Sequence, residues 1–199
     1  MNLPDYLVWI DCEMTGLNPD QDCLVEIAVV ITDFELQVVD EGLDIVIKPT
    51  ESALAGMGDF VRNMHTESGL INEFDNGVSL EQAEAQVLEY VKKYIPAAKT
   101  APLAGNTIGT DRMFIAKYMP ELDSHLHYRN IDVSTIKELS KRWYPRAYFQ
   151  APKKQGGHRA LADILESIGE LRYYRATVFV EAPGPTTEQA QAVSQSIIS

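Results

Sequence analysis

Two acidic residues, Asp11 and Glu13, are separated by a single residue in the otherwise apolar stretch YLVWIDCEM. Side chains at positions i and i+2 of a strand point to the same face, so both carboxylates would project into one site while Cys12 points the other way. Two carboxylates this close repel each other, and burying an unpaired charge is costly. The pair therefore predicts a site that holds protons or a hard divalent cation such as Mg²⁺ or Mn²⁺.

A third carboxylate, Asp111, ends the stretch AGNTIGTD. It follows a predicted buried strand and lies at the start of a predicted helix, where α/β proteins tend to place ligands. An acidic residue at a helix start also has a purely structural explanation, because it complements the helix dipole. Asp111 alone leaves both interpretations open.

The stretch QGGHRALADILES contains His158 and Asp163, five residues apart. On a straight helix, that spacing separates them by about 140° around the axis. They can share one site only if His158 lies on the loop after Gly156 and Gly157 while Asp163 lies about one turn into the helix. A histidine on a loop beside a fixed carboxylate suits a general base next to a metal ligand. A capping histidine and an exposed aspartate are the alternative.

These residues must be positioned by strands and helices that the pattern of apolar residues predicts. Strands come first and then alternate with helices, which favours an α/β fold with a mixed five-stranded sheet flanked by helices. Strands are predicted at 6–11, 23–33, 43–49, 101–106 and 129–134. Helices are predicted at 79–95, 110–122, 134–144, with Ile136, Leu139 and Trp143 facing inward, and 158–175.

The composition is that of an ordinary globular protein, since 45% of the 199 residues are hydrophobic and 23% are charged. We expect a single domain over residues 1–175 and a C-terminal extension, 176–199, that is mobile or loosely docked. No apolar run is long enough to cross a membrane, and no secretory signal is evident, so the cytoplasm is the expected compartment. Cys12 and Cys23 are expected to be reduced, buried thiols.

The formal net charge of −12 argues against long duplex nucleic acid as a partner. Residues 131–160 differ from the rest, with seven Lys or Arg residues and only two acids. This basic zone suits a short anionic ligand, although a solvated helix face plus a basic loop explains it equally well.

Three stretches, IDCEMTGL, GNTIGTD and HRALADILES, resemble in order and spacing the motifs of the DEDDh 3′→5′ exonuclease superfamily, which has a ribonuclease H-like fold. The stretches HTESGL, YRNIDVSTIKEL, KRWYP and LRYYR extend the resemblance, over about residues 6–175, to the oligoribonuclease family. The resemblance implies hydrolysis of very short RNA, dinucleotides above all, to nucleoside 5′-monophosphates. It implies two Mg²⁺ or Mn²⁺ ions per active site and His158 as the general base. The four acids that match the metal ligands are Asp11, Glu13, Asp111 and Asp163.

The same resemblance implies substrate-binding residues. Leu17 and Phe60 match positions that pack against and wedge between bases, although the wedge is commonly Trp in this family. His65 is expected beside them, and Asn106 and Thr107 in the turn near the substrate. The 5′ phosphate of a dinucleotide would be capped by Arg129 and Ser134, with Tyr128 supplied by the partner subunit of a homodimer.

Two alternatives remain at this point. A DEDDh exonuclease of broader range, such as a DNA proofreading subunit or a ribonuclease T relative, would share all five catalytic residues. A catalytically idle module that senses short RNA or dinucleotides belongs to a different class. The intact acidic set argues against it, because unused carboxylates would leave buried charges unpaired.

Overall fold

A mixed five-stranded sheet forms the centre of the computed structural model, which describes residues 6–153 and 157–198. The strand order is β3-β2-β1-β4-β5; β1 is antiparallel to β2 and parallel to β4, and β5 is parallel to β4. The predicted α/β class and number of strands are therefore confirmed. The strands are β1 (Leu7–Met14), β2 (Leu24–Thr32), β3 (Leu43–Val46), β4 (Pro102–Gly105) and β5 (His127–Asp132).

Helices cover both faces of this sheet. Their bounds are α1 (Glu51–Gly56), α2 (Asp59–Glu67), α3 (Leu80–Tyr94), α4 (Gly109–Tyr118), α5 (Pro120–His125), α6 (Val133–Trp143), α7 (Pro145–Phe149), α8 (Ala160–Thr177) and α9 (Thr187–Ile198). Short 3₁₀ turns occupy Leu70–Asn72 and Phe74–Asn76. Helices α1, α2 and α7 had no counterpart among the predicted elements. No helix in the described ranges combines the length and apolarity that a membrane span requires.

The alternation of side chains along β1 divides the core in two. Val8, Ile10 and Cys12 belong to the larger apolar cluster, which includes residues of α3 and α4. Leu7 and Trp9 belong to a second cluster with residues of α8. Asp11 and Glu13 continue the odd-numbered series, so the alternation directs both carboxylates toward the face that α8 covers.

Helix α3 confirms the prediction made from its sequence. Ser79 and Gln82 form the expected capping box: the Ser79 side chain accepts from the Gln82 N–H, and Gln82 accepts from the Ser79 N–H. The helix ends just before Pro96, and its apolar face is buried in the larger cluster.

Two predicted helices differ from the structure. The helix expected over 110–122 is broken at Met119, and Pro120 begins the separate helix α5 because proline cannot donate the hydrogen bond that would continue α4. On α6, Leu139 and Trp143 were expected to face inward, yet both are exposed, Trp143 by 67%. Of the three residues of α6 that were expected to face inward, only Ile136 packs against the core.

The C-terminal extension contains helix α9, which the sequence pattern did not predict. Its described side chains are exposed. Helix α8 ends at Thr177, close to the predicted end of the domain at 175. The division into a domain and a loosely docked extension stays a prediction. Both cysteines are free thiols as expected, although Cys23 is only half-buried.

Candidate active site

The acidic pair lies at the carboxyl end of β1, within the strand itself. Glu13 is buried, and its partner across the β1–β2 ladder is another glutamate, Glu26. Burial, followed by the nearby charges of Glu26, Asp163 and Asp111, raises the pKa of Glu13 to about 8. Near neutral pH, this carboxyl group therefore holds a proton unless a cation replaces it.

Asp111 reaches the same strand from the first turn of α4. Its Oδ1 accepts a hydrogen bond of 3.0 Å from the backbone N–H of Cys12, which lies between Asp11 and Glu13. Burial raises the pKa of Asp111 to about 7. The parallel pairing of β1 with β4 brings this residue, 99 positions away in sequence, next to the acidic pair.

The remaining two residues of the predicted catalytic set come from the start of α8. His158 precedes the helix in the left-handed backbone region, with a φ of 48°, and Asp163 lies in the first turn. One ligand atom from each of Glu13, His158 and Asp163 lies within 4.8 Å of the others. The predicted arrangement of a loop histidine and a helical aspartate is thus confirmed, although Gly156 lies outside the described residues.

A cavity of about 420 Å³ joins these groups. Leu17 and Phe60 line its wall and are highly exposed, by 75% and 81%. Large apolar side chains at the mouth of an acidic cavity suit contact with flat, apolar base faces. The predicted residues on the cavity wall are Asp11, Glu13, Leu17, Phe60, Asn106, Thr107, Asp111, His158 and Asp163.

Asn106 and Thr107 follow β4 and are fixed by hydrogen bonds. The Asn106 Nδ2 donates to Ser167 Oγ at 2.8 Å and to Glu170 Oε2 at 3.1 Å. The Thr107 backbone N–H donates to Ser134 Oγ at 3.2 Å, and Thr107 itself has a left-handed φ of 54°. This turn therefore connects the cavity wall to the start of α6.

His65 is placed differently from the expectation. It is fully buried on α2, where its Nε2–H donates to the Met14 carbonyl at 2.8 Å. Its Nδ1 lies 3.9 Å from Glu13 Oε2, so the ring lies behind the acidic pair and not beside Leu17 and Phe60 on the cavity wall. In this position the imidazole has no exposed surface with which to contact a base.

The three residues predicted to cap a 5′ phosphate lie on β5 and at the start of α6. Ser134 is tied to Thr107, whereas Arg129 and Tyr128 are exposed and are not among the residues that line the cavity. The Arg129 guanidinium lies over the ring of Tyr128, 5.5 Å from its centroid. Their predicted roles stay predictions.

The basic zone is partly neutralised by internal ion pairs. Lys137 Nζ lies 3.0 Å from Glu170 Oε1, and Arg142 pairs with Glu138 on the same helix. Arg159 is bound by carboxylates from three other segments. Lys154 lies outside the described residues. The zone is therefore not a uniform patch for an anionic ligand.

Sequence analysis missed Glu26 and Arg159 as contributors to the site. Glu26 occurs in a strand whose nine residues are all buried, and a charged residue at such a position was the available signal. Arg159 was counted only as part of the basic zone. Their contacts with each other and with the start of α8 become evident only in three dimensions.

Comparison with known proteins shows where this chain belongs. Residues 8–171 match the exonuclease family model RNase_T. The chain is 71% identical to an oligoribonuclease of Leifsonia xyli, over 98% of this chain and 94% of that protein. It is 58% identical to an oligoribonuclease of Cutibacterium acnes, over 94% and 93%, and 57% identical to one of Streptomyces coelicolor, over 96% and 95%.

Similar solved structures include exonuclease I of Methylocaldum szegediense, with a TM-score of 0.61 and 18% identity over 87% of this chain and 41% of that one. A complex of E. coli exonuclease I with single-stranded DNA gives a TM-score of 0.62 and 13% identity, over 87% and 40%. This chain thus spans about two fifths of the length of those exonuclease I chains. At such low identity, the likeness establishes the ribonuclease H-like fold alone.

Proposed function

Because this chain belongs to the oligoribonuclease family of exonucleases, we propose that it is a 3′→5′ exoribonuclease that hydrolyses very short RNA, dinucleotides above all, to nucleoside 5′-monophosphates. The observation that carries the proposal is the convergence of Glu13, His158 and Asp163 within 4.8 Å in a cavity that Asp11 and Asp111 also line. The expected compartment is the cytoplasm.

The donor set fits hard divalent cations. Four carboxylates from β1, α4 and α8 surround the cavity, and Glu13 and Asp111 have pKa values raised toward neutrality because burial disfavours their charged forms. Cations remove this penalty by replacing protons. When bound, two Mg²⁺ or Mn²⁺ ions would supply activation of the attacking water and stabilisation of the leaving 3′ oxygen. Asp11, Glu13, Asp111 and Asp163 would hold them.

His158 is the proposed general base. It is exposed at the cavity, and it precedes α8 in a left-handed conformation that is unfavourable for a residue with a side chain. Strained backbone of this kind is often found at functional sites. From this position, the imidazole would accept the proton of the attacking water and leave the carboxylates to the cations.

Leu17 and Phe60 would bind the bases of the substrate from the mouth of the cavity. Stacking on an aromatic face is worth about 1–3 kcal/mol per base and tolerates any sequence, since every base has a π face. This suits an enzyme that must degrade all dinucleotides. Asn106 and Thr107 would contact the substrate from the turn after β4.

Arg129 and Ser134 would cap the 5′ phosphate of a dinucleotide. A guanidinium binds phosphate oxygens through two hydrogen bonds, and the bond from Thr107 to Ser134 links this end of the site to the cavity. Such a cap would act as a wall that longer chains cannot pass. Length selection would then follow from geometry.

The homodimer is part of this proposal, with Tyr128 completing the cap of the partner subunit. Its support is an apolar surface on α6 and α7 that is exposed in the single chain; we call it the aromatic surface. Large exposed apolar side chains that cluster on a surface favour contact with another protein surface. The aromatic surface consists of Leu139, Trp143, Tyr144 and Phe149.

A length series tests the proposed function. Purified protein is incubated with 5′-phosphorylated RNAs of about two, three, five, seven and twenty nucleotides, with Mg²⁺, Mn²⁺ or EDTA. We expect a steep preference for the dinucleotide that EDTA abolishes. Equal or faster digestion of the longest RNA would mean an open 5′ end and an exonuclease of broader range. Dinucleotide binding without hydrolysis would indicate a sensing module.

A further inference from the structure

Arg159 connects three segments of the chain to the start of α8. Its Nε donates to Glu26 Oε1 on β2 at 2.8 Å, and its Nη1 donates to Glu73 Oε1 at 2.8 Å. Its Nη2 lies 4.0 Å from Asp44 Oδ2 on β3. Three carboxylates from separate segments thus hold one guanidinium, whose planar set of five donors suits several partners at once.

Glu26 uses its second oxygen to cap α8. The Ala160 backbone N–H, at the first position of this helix, donates to Glu26 Oε2 at 2.9 Å. Helix α8 has no side-chain cap from its own N-cap residue, Arg159, so this bond satisfies one of the donors that every helix start leaves unpaired. Glu26 has no exposed surface, and its bonds to the guanidinium and to the amide are what its buried carboxylate needs.

Both proposed catalytic groups of this helix start are tied to Arg159 through the backbone. His158 is the preceding residue, and the Asp163 N–H donates to the Arg159 carbonyl at 3.0 Å. Glu26 also lies directly opposite Glu13 in the β1–β2 register. The Glu26–Arg159 pair therefore links the strand that carries the acidic pair to the helix start that carries His158 and Asp163.

We propose that Arg159 and Glu26 are positioning residues that hold His158 and the first turn of α8 against the acidic pair of β1. The inference rests on the proposed function for the part played by His158. Because carboxylates of this chain already bind its guanidinium, Arg159 is not available to the short anionic ligand that the basic zone suggested. Misplacement of a catalytic group by about 1 Å can cost about 100-fold in rate.

The first test compares kinetic constants for a dinucleotide. Arg159→Met should lower kcat by about 10-fold to 100-fold with little change in KM, because the variant still binds substrate but misplaces the general base His158. Arg159→Lys keeps the charge but loses the planar guanidinium, so its kcat should lie between that of the wild type and that of Arg159→Met. Arg175→Met is the matched control: it removes an exposed ion pair with Glu35 farther along the same helix, and its kcat should be unchanged.

A double-mutant cycle separates positioning from general damage. If Arg159 acts partly through His158, Arg159→Met should lower kcat by a clearly smaller factor once His158→Ala is present, and the loss that remains would act through Asp163. A merely structural role would lower kcat by the same factor in both backgrounds, and that result would overturn the proposal. A rise in KM with kcat unchanged would also overturn it, since it would mark Arg159 as a ligand of the substrate.

Amide hydrogen exchange tests the proposal without RNA or metal. Arg159→Met should speed exchange at residues 160–165 relative to the wild type and Arg175→Met, because the first turn of α8 loses its anchor. Unchanged exchange there would overturn the proposal. If Arg159→Met fails to fold, the double variant Glu26→Gln and Arg159→Met replaces it, since it leaves no unpaired buried charge and keeps an oxygen for the Ala160 N–H. Should the wild type fail to hydrolyse dinucleotides, the proposed function fails while exchange still decides the anchoring role.

Discussion

At the scale of single residues, the main feature of the site is buried negative charge. Asp111 and Glu13 have pKa values of about 7 and 8, far above those of exposed carboxyl groups, because burial disfavours ionisation. Arg159 neutralises Glu26 on the neighbouring strand. Protons or divalent cations must balance Glu13 and Asp111, so stability, pH and metal binding are coupled.

This coupling predicts how the melting temperature depends on pH. Between about pH 5 and pH 8, folded Glu13 holds a proton that the unfolded chain releases, so the unfolded state binds fewer protons and stability falls as pH rises. In EDTA, the melting temperature should therefore decrease over this range. Mg²⁺ or Mn²⁺ should reverse the decrease, most strongly near pH 8. Glu13→Gln should make the EDTA curve less steep, most clearly above about pH 7, because Asp111 still titrates at lower pH. An EDTA curve that is already flat in the wild type would contradict the prediction.

Asp11→Asn tests the metal-binding role of the acidic pair. The substitution keeps the size of the side chain but removes a charged ligand, so turnover of a dinucleotide should fall by about three orders of magnitude, which corresponds to about 4 kcal/mol. Circular dichroism and the melting temperature in EDTA should show an intact fold. Activity within a factor of about two of the wild type would contradict a two-metal site that includes Asp11.

Arg129→Ala tests the 5′ phosphate cap. A hydrogen bond to a charged group contributes about 1.5–3 kcal/mol, so kcat/KM for a 5′-phosphorylated dinucleotide should fall by about 10-fold to 100-fold. The unphosphorylated dinucleotide should be nearly unaffected. Arg146→Ala, at an exposed arginine of the basic zone, serves as the control. An equal loss on both substrates would remove Arg129 from the cap.

At the scale of secondary structure elements, the site depends on how α2 and α8 dock against β1. Helix α8 is anchored through Arg159 and Glu26. Helix α2 is anchored through His65, which donates a hydrogen bond to the Met14 carbonyl at the end of β1. The His65 ring also packs edge-on against Phe74, with 5.9 Å between the ring centroids. Phe60 lies on α2, so the same helix joins the cavity mouth to the acidic pair.

His65→Leu should therefore destabilise the protein, since it leaves the buried Met14 carbonyl without its donor. The expected cost is about 1–3 kcal/mol, seen as a lower midpoint in urea unfolding. Thr66→Val, at the next and exposed position, should change stability by less than about 0.5 kcal/mol. Equal stability of His65→Leu and Thr66→Val would show that this anchor contributes nothing.

At the scale of the whole molecule, the aromatic surface is a feature that a single chain leaves unexplained. Leu139 and Trp143 lie one turn apart on α6. Tyr144 lies between α6 and α7, and Phe149 is the last residue of α7. In the proposed dimer, this surface is buried and brings Tyr128 to the partner's cap. Assembly and catalysis would then depend on each other.

Trp143→Glu should produce a monomer, because a charge in an apolar interface is costly to bury. Light scattering after size exclusion should give half the mass of the wild type, and dinucleotide turnover should be lost although the acidic cluster is intact. Val180→Glu places the same charge at an exposed apolar position after α8 and should leave the mass in solution and the dinucleotide turnover unchanged. A fully active Trp143→Glu monomer would contradict the role of Tyr128 in the partner's cap.

Much of the fold and the site followed from local sequence alone. The period of two along β1 places Asp11 and Glu13 on one face, because neighbouring side chains of a strand alternate in direction. The spacing of His158 and Asp163 required a loop followed by a helix, which the structure contains. Apolar periodicity with a capping box predicted α3 closely, since such signals act within a few residues.

Tertiary structure decided everything that depended on contacts between distant segments. An apolar stripe on α6 cannot reveal from sequence whether it faces the core of its own chain, so Trp143 was wrongly placed inside. The sequence likewise gives no indication that His65 lies behind Glu13. Nor does it indicate that carboxylates from β2, from β3 and from Glu73, between the two 3₁₀ turns, hold Arg159. Such contacts join residues that are far apart in sequence, 51 positions for His65 and Met14 and 133 positions for Arg159 and Glu26. Chain topology alone brings them within hydrogen-bonding distance.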